Sequence, residues 1–90
     1  MPLYLVERRL PGFSAQQVMA AAGAAKRVTA EMEKEGRPVR YLRSTFIPGE
    51  DKCYCLFEGD SPAVIREANE RADLPMDRID LAEHVTADQV

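Results

Sequence analysis

The stretch "VRYLRSTFIPGEDKCYCLFE", residues 39–58, decides how the rest of the chain folds. Two runs rich in β-branched and aromatic residues, 39–47 and 52–58, flank Pro48, Gly49, Glu50 and Asp51, residue types that reverse the chain. The pattern predicts an antiparallel hairpin. With the turn centred on Gly49 and Glu50, partners have numbers summing to 99. One face then pairs Tyr41 with Glu58, Arg43 with Leu56 and Thr45 with Tyr54. The other pairs Leu42 with Phe57, Ser44 with Cys55 and Phe46 with Cys53. Only the second set is nearly free of charge, so it is the face expected to lie under helices.

Working outward, "LYLVERR" at 3–9 reads as a first strand closed by Pro11-Gly12. Ser14 and Gln17 have the spacing of a capping box. From there Val18, Ala21, Ala22, Ala25, Val28, Thr29 and Met32 make one apolar stripe, ended by Gly36 and Pro38. Asp60 or Ser61 caps a second helix with Pro62 in its first turn and a stripe of Val64, Ile65, Ala68 and Ala72. Its pairs Arg66–Glu70 and Glu67–Arg71, four residues apart, add about 0.3 to 0.5 kcal/mol each. "RIDLAEHV", 78–85, alternates as a half-buried strand, and the tail "TADQV" is expected to be loose. The order βαββαβ is that of an α+β, ferredoxin-like domain spanning 1–90, a four-stranded antiparallel sheet with both helices on one face.

At 90 residues a single domain buries only about 60 to 65% of its unfolded surface, so self-association would help it. The net charge of −3 leaves no basic field for a phosphate backbone, which argues against nucleic acid. No apolar run approaches the length of a membrane span, and the start lacks the features of a signal peptide. The expectation is a cytoplasmic protein with both cysteines reduced.

On the hairpin register Cys53 and Cys55 point inward as small core residues. A disulfide between them is disfavoured, since same-face neighbours on a strand lie about 6.6 to 6.8 Å apart with parallel side chains. A soft-metal site of C-x-C type would need two more thiolate or imidazole ligands, and the chain has no third cysteine. The open face collects Tyr41, Arg43, Thr45, Tyr54, Leu56 and Glu58, with Asp80 and His84 joining from the last strand if Ile79 and Leu81 look toward the helices; the first strand is apolar on both faces, through Leu3 and Leu5 or Tyr4 and Val6, and Glu7 is taken toward the open side. Half apolar and half polar, it predicts a homodimer with two sheets face to face in a dimeric α+β barrel-like association around a pocket that includes Tyr41, Arg43 and Tyr54.

Glu7, Glu58 and His84 are the candidate hard or borderline metal ligands, because carboxylate with imidazole suits nickel, zinc or cobalt. Glu58 is also placed to pair with Arg43 across the sheet. No nucleophile elbow and no phosphate-binding glycine loop is present. Glu7 and Glu58 could do acid-base work only if burial raised one of their pKa values.

The stretches "YLVER" (4–8), "VRYLRS" (39–44), "DKCYCLFEG" (51–59) and "IREANERADLPMDRI" (65–79) together resemble a family of short bacterial nickel-binding proteins, once grouped as a domain of unknown function. The resemblance implies a ferredoxin-like fold, dimerisation and nickel as the bound ion. Glu7, Cys55 and Glu58 lie within the matching stretches and complete the candidate metal set with His84, which lies outside them. Arg71 and Asp73 stand in a segment where relatives often carry a His or Gly nearby. The leading functional reading is a small dimeric protein that handles or senses a divalent metal without catalysis of its own. The alternatives are a dimeric α+β barrel enzyme, of the cofactor-free monooxygenase or isomerase type, and a plain interaction module.

Overall fold

The structure, a computed structural model describing residues 1–90, follows the βαββαβ order. Strand β1 (Leu3–Arg9) leads into α1 (Ala15–Lys34), the hairpin β2 (Val39–Ile47) and β3 (Lys52–Gly59), α2 (Pro62–Arg71) and β4 (Arg78–Ala82). The strands form one antiparallel sheet in the order β2-β3-β1-β4. The expected fold class is therefore present.

Local chemistry sets the helix limits. Ser14 Oγ accepts from the Gln17 N–H at 3.2 Å while Gln17 Oε1 accepts from the Ser14 N–H at 2.7 Å, so two otherwise unpaired donors are satisfied at the start of α1. The helix stops where Gly36 takes φ +82°, a conformation that a Cβ would oppose. Ser61 is the residue that caps α2, accepting from the Val64 N–H. Of the two expected ion pairs on α2, only Glu67–Arg71 forms, at 2.8 Å.

Both helices bury their stripes on one side of the sheet. Val18, Ala25 and Met32 of α1 and Val64, Ile65 and Ala68 of α2 share a core with Tyr4, Val6, Cys53, Cys55 and Phe57. Both cysteines are buried free thiols, facing inward as expected.

The hairpin departs from the simple register at one residue. Arg43 to Ile47 pair with Leu56 to Lys52 on the expected sum of 99, but Val39, Arg40 and Tyr41 pair with Gly59, Glu58 and Phe57 on a sum of 98. Leu42 is the extra residue, a β-bulge, and is exposed. Tyr41 consequently lies on the helix side rather than on the open face. Its ring packs edge-on against Phe57 at 5.6 Å and its N–H donates to Thr29 Oγ1. The cause is legible in β2: Val39 and Tyr41 are out of phase with Ser44 and Phe46, and one inserted residue lets all four face the helices.

The last strand is also shorter than the alternation suggested. Ala82 faces Leu3, and the residue before Leu3 is Pro2, which has no N–H to extend the ladder. His84 and Val85 therefore lie beyond the sheet. Leu81 shares the side of Tyr4 yet is 72% exposed, because the helices lie over β2 and β3 rather than β4. The tail closes in a short 3-10 turn, Ala87–Gln89, where Gln89 Oε1 accepts from the Thr86 N–H at 2.8 Å, instead of running on without structure. No helix is long and apolar enough to cross a membrane.

Candidate functional site

The open face is built row by row from strand pairing. Glu7 of β1 sits between Tyr54 of β3 and Arg78 of β4. Leu5 sits between Leu56 and Asp80, and Leu3 between Glu58 and Ala82. Arg43 and Thr45 extend the face over β2. Glu7, Tyr54 and Glu58 are half-buried, while Arg43, Thr45, Arg78 and Asp80 are exposed.

The chain after β4 partly covers this face. Arg43 Nη2 donates to His84 Nδ1 at 3.4 Å, although β2 and β4 are opposite edges of the sheet. Leu56 points to this side and is only 6% exposed. An arginine can only donate, so His84 accepts through Nδ1 and carries its proton on Nε2; a metal ion bound by this ring would displace the Arg43 hydrogen bond.

Glu58 does not pair with Arg43. The bulge puts Arg40 opposite it, and Arg40 lies 3.6 Å from Glu58 and 3.8 Å from Glu33. Glu7 and Glu58 are also far apart: Glu7 faces Tyr54, four residues from Glu58, which the strand rise converts to about 13 Å. Cys55 lies on the other side of the sheet. No three His, Cys, Asp or Glu side chains of one chain gather closely enough to hold a metal ion. Glu7, Glu58, His84 and Cys55 thus do not form one centre within a protomer.

Beneath the helices lies a second set of chemically distinctive residues. Cys53 Sγ is 3.8 Å from Cys55 Sγ, and Ser44 Oγ is 3.0 Å from Cys55 Sγ and 2.7 Å from the Tyr41 hydroxyl. Burial, and then the neighbouring Cys55, push the Cys53 thiol up to about 11. Burial likewise raises the Tyr41 hydroxyl. Arg8, paired across the sheet with Cys53, is 1% exposed; it donates to the Pro75 carbonyl at 3.0 Å and to Asn69 Oδ1 at 2.8 Å, with no carboxylate beside it. Arg8, Ser44, Cys53 and Cys55 border a cavity of about 10 Å³ under α1, lined also by Ala21 and Ala22. Arg8 and Asn69 were missing from the sequence-derived set, although Arg8 is in phase with the inward Tyr4 and Val6.

At the far end of the helices Arg71 donates to both carboxylate oxygens of Glu35 at 3.0 Å and meets Glu67 at 2.8 Å, while Arg37 also pairs with Glu67. The Arg71 hydrogen bonds hold Glu35 below the usual carboxylate range, and Arg37 does the same for Glu67. Asp73 follows with φ +56° as the left-handed residue that ends α2, the position for which glycine is favoured. A groove of about 270 Å³ runs between α1 and β2, bordered by Lys26, Glu33, Arg40 and Tyr41. Neither hollow contains Arg43, Tyr54 or Glu58.

A family model described as nickel responsive protein SCO4226-like matches residues 4–81. No curated protein matches. Among solved structures, the crystal structure of SCO4226 from Streptomyces coelicolor A3(2) aligns with a TM-score of 0.76 at 24% identity, covering 93% of this chain and 99% of that one. At that identity the likeness establishes the fold.

Proposed function

Since the chain belongs to the SCO4226-like nickel responsive protein family, we propose that it is a small binding protein for a divalent metal, nickel foremost, that works as a homodimer through its open sheet face. The family match over residues 4–81 carries this reading. The character of the open face supports it: Glu7, Glu58, Asp80 and His84 supply carboxylate and imidazole donors of the hardness nickel accepts. One chain alone does not fit a closed nickel site, because these donors are spread across the sheet. A second copy laid face to face would bring donors from two chains together and cover Leu3 and Leu5. No catalytic step is assigned to the protein.

Calorimetric titration with nickel, alongside sedimentation, tests the proposal. The expectation is micromolar binding that is weakened in Glu7→Ala, Glu58→Ala or His84→Ala, with dimers present at the binding concentration. Absence of nickel binding by a folded wild-type chain would overturn it.

A further inference from the structure

We propose that Cys53 and Cys55, with Arg8 and Ser44 behind them, form a two-coordinate site for a soft monovalent metal ion, Cu(I), on the helix side of the sheet. This site shares no residue with the donors of the open face and stands independently of the nickel reading.

Geometry comes first. The two sulfurs are 3.8 Å apart on one strand and border the same small cavity. Two thiolate–metal bonds of about 2.3 Å each span at most about 4.6 Å in line. Each sulfur thus moves outward by about 0.4 Å, a small χ1 rotation at two residues that border a cavity. The lack of further thiolates, which excludes a tetrahedral zinc site, is no obstacle to an ion satisfied by two soft ligands.

Charge selects the ion. Arg8 is a guanidinium 1% exposed with only neutral partners, the Pro75 carbonyl and Asn69, so the site with both thiols protonated holds one uncompensated positive charge. Two thiolates, one monovalent cation and Arg8 sum to zero. Two thiolates with a divalent ion leave the original positive charge in place. The buried arginine therefore discriminates for a monovalent metal. Ser44 Oγ, 3.0 Å from Cys55 Sγ and itself 2.7 Å from the Tyr41 hydroxyl, can donate to a bound thiolate and receive from the phenol. Binding is a ligand exchange: Cu(I) releases its acetonitrile or bicinchoninate ligands to solvent and forms two bonds to sulfur, the two S–H bonds break with their protons passing to solvent, and nothing is oxidised or reduced.

The test is an anaerobic titration of the reduced protein with Cu(I), supplied as its acetonitrile complex, in competition with bicinchoninate. The expected result is one Cu(I) per chain with thiolate-to-copper charge-transfer absorption in the ultraviolet. It is lost in Cys53→Ser and Cys55→Ser, weakened about 10- to 100-fold in Ser44→Ala, and unchanged in Glu7→Ala and Glu58→Ala. X-ray absorption on the copper-loaded wild type should show two sulfur neighbours, a reading that does not depend on any variant folding. Failure of the wild type to take copper from bicinchoninate would overturn the proposal. So would undiminished uptake by a folded Cys53→Ser/Cys55→Ser chain, or a ligand shell of nitrogen and oxygen. Nickel binding by that double variant tests the open-face reading separately.

Discussion

Gly59→Ala should destabilise the protein even though Gly59 lies in a strand, where alanine is ordinarily the better residue by about 0.5 to 1 kcal/mol. Gly59 is absent from the residues of positive φ, so alanine meets no backbone penalty there. The obstacle is packing. A Cβ at this position would stand 2.8 Å from Val64 Cγ1 and 2.9 Å from Ile65 Cδ1, against about 3.5 to 4.0 Å for a relaxed carbon contact. Val64 and Ile65 are buried in the first turn of α2, so relief requires the helix to back away from β3 or both side chains to leave their rotamers. Overpacking of this kind costs about 1 to 3 kcal/mol. At the middle of both ranges, about 2 less about 0.75 kcal/mol leaves a net loss of about 1.25 kcal/mol, which lowers Tm by about 5 to 10 °C for a domain of this size. Thermal melting followed by circular dichroism reads the shift. Ile65→Val removes the atom at 2.9 Å, so the double variant should be more stable than the sum of the single losses by at least about 0.5 kcal/mol. A Gly59→Ala chain that melts at or above the wild-type temperature would refute the packing argument.

Three further outcomes are expected. Asp73→Gly should raise stability by about 0.5 to 1 kcal/mol, because Asp73 ends α2 at φ +56° and its side chain makes no hydrogen bond; denaturant melts check this. Cys53 has its folded pKa raised to about 11 from 9.0, so its contribution is full below pH 9 and is lost as pH rises toward 11; alkaline melts should show that loss, with a shallower slope in Cys53→Ala. Glu35 and Glu67 are held below their unfolded pKa values by Arg71 and Arg37, so their contribution is present above the unfolded carboxylate pKa and fades as pH falls through the folded one. Because these groups are exposed, melts at high salt should reduce the acid sensitivity, and Glu67→Gln should reduce it further.

Capping chemistry and periodicity are local, and they made the helices, the hairpin and the inward cysteines readable from residues alone. Ser14, Gln17 and Gly36 act where the sequence placed them, and Ser61 is the one of its two candidate caps, Asp60 and Ser61, that acts. The sheet's inner faces were readable only as far as a strict two-residue period held. Val39 and Tyr41 break phase with Ser44 and Phe46, and a register counted from the turn carried Tyr41 to the wrong side. Arg8 was obscured twice: β1 is apolar on both faces, so its phase with Tyr4 and Val6 did not by itself mark it as inward, and a buried arginine depends on partners, Asn69 and Pro75, more than 60 residues away. The open-face donors were individually visible. Their separation was not, because it follows from how β1 and β3 are offset and from the bulge that pairs Arg40 with Glu58.

The central claim is that the open face is where metal and a second copy meet. Sedimentation equilibrium of the wild-type chain with and without nickel, paired with the Glu7→Ala/Glu58→Ala chain, tests it most directly. The account predicts a dimer whose association nickel strengthens in the wild type and leaves unchanged in the double variant. A folded wild-type chain that stays monomeric at high concentration with saturating nickel would contradict it.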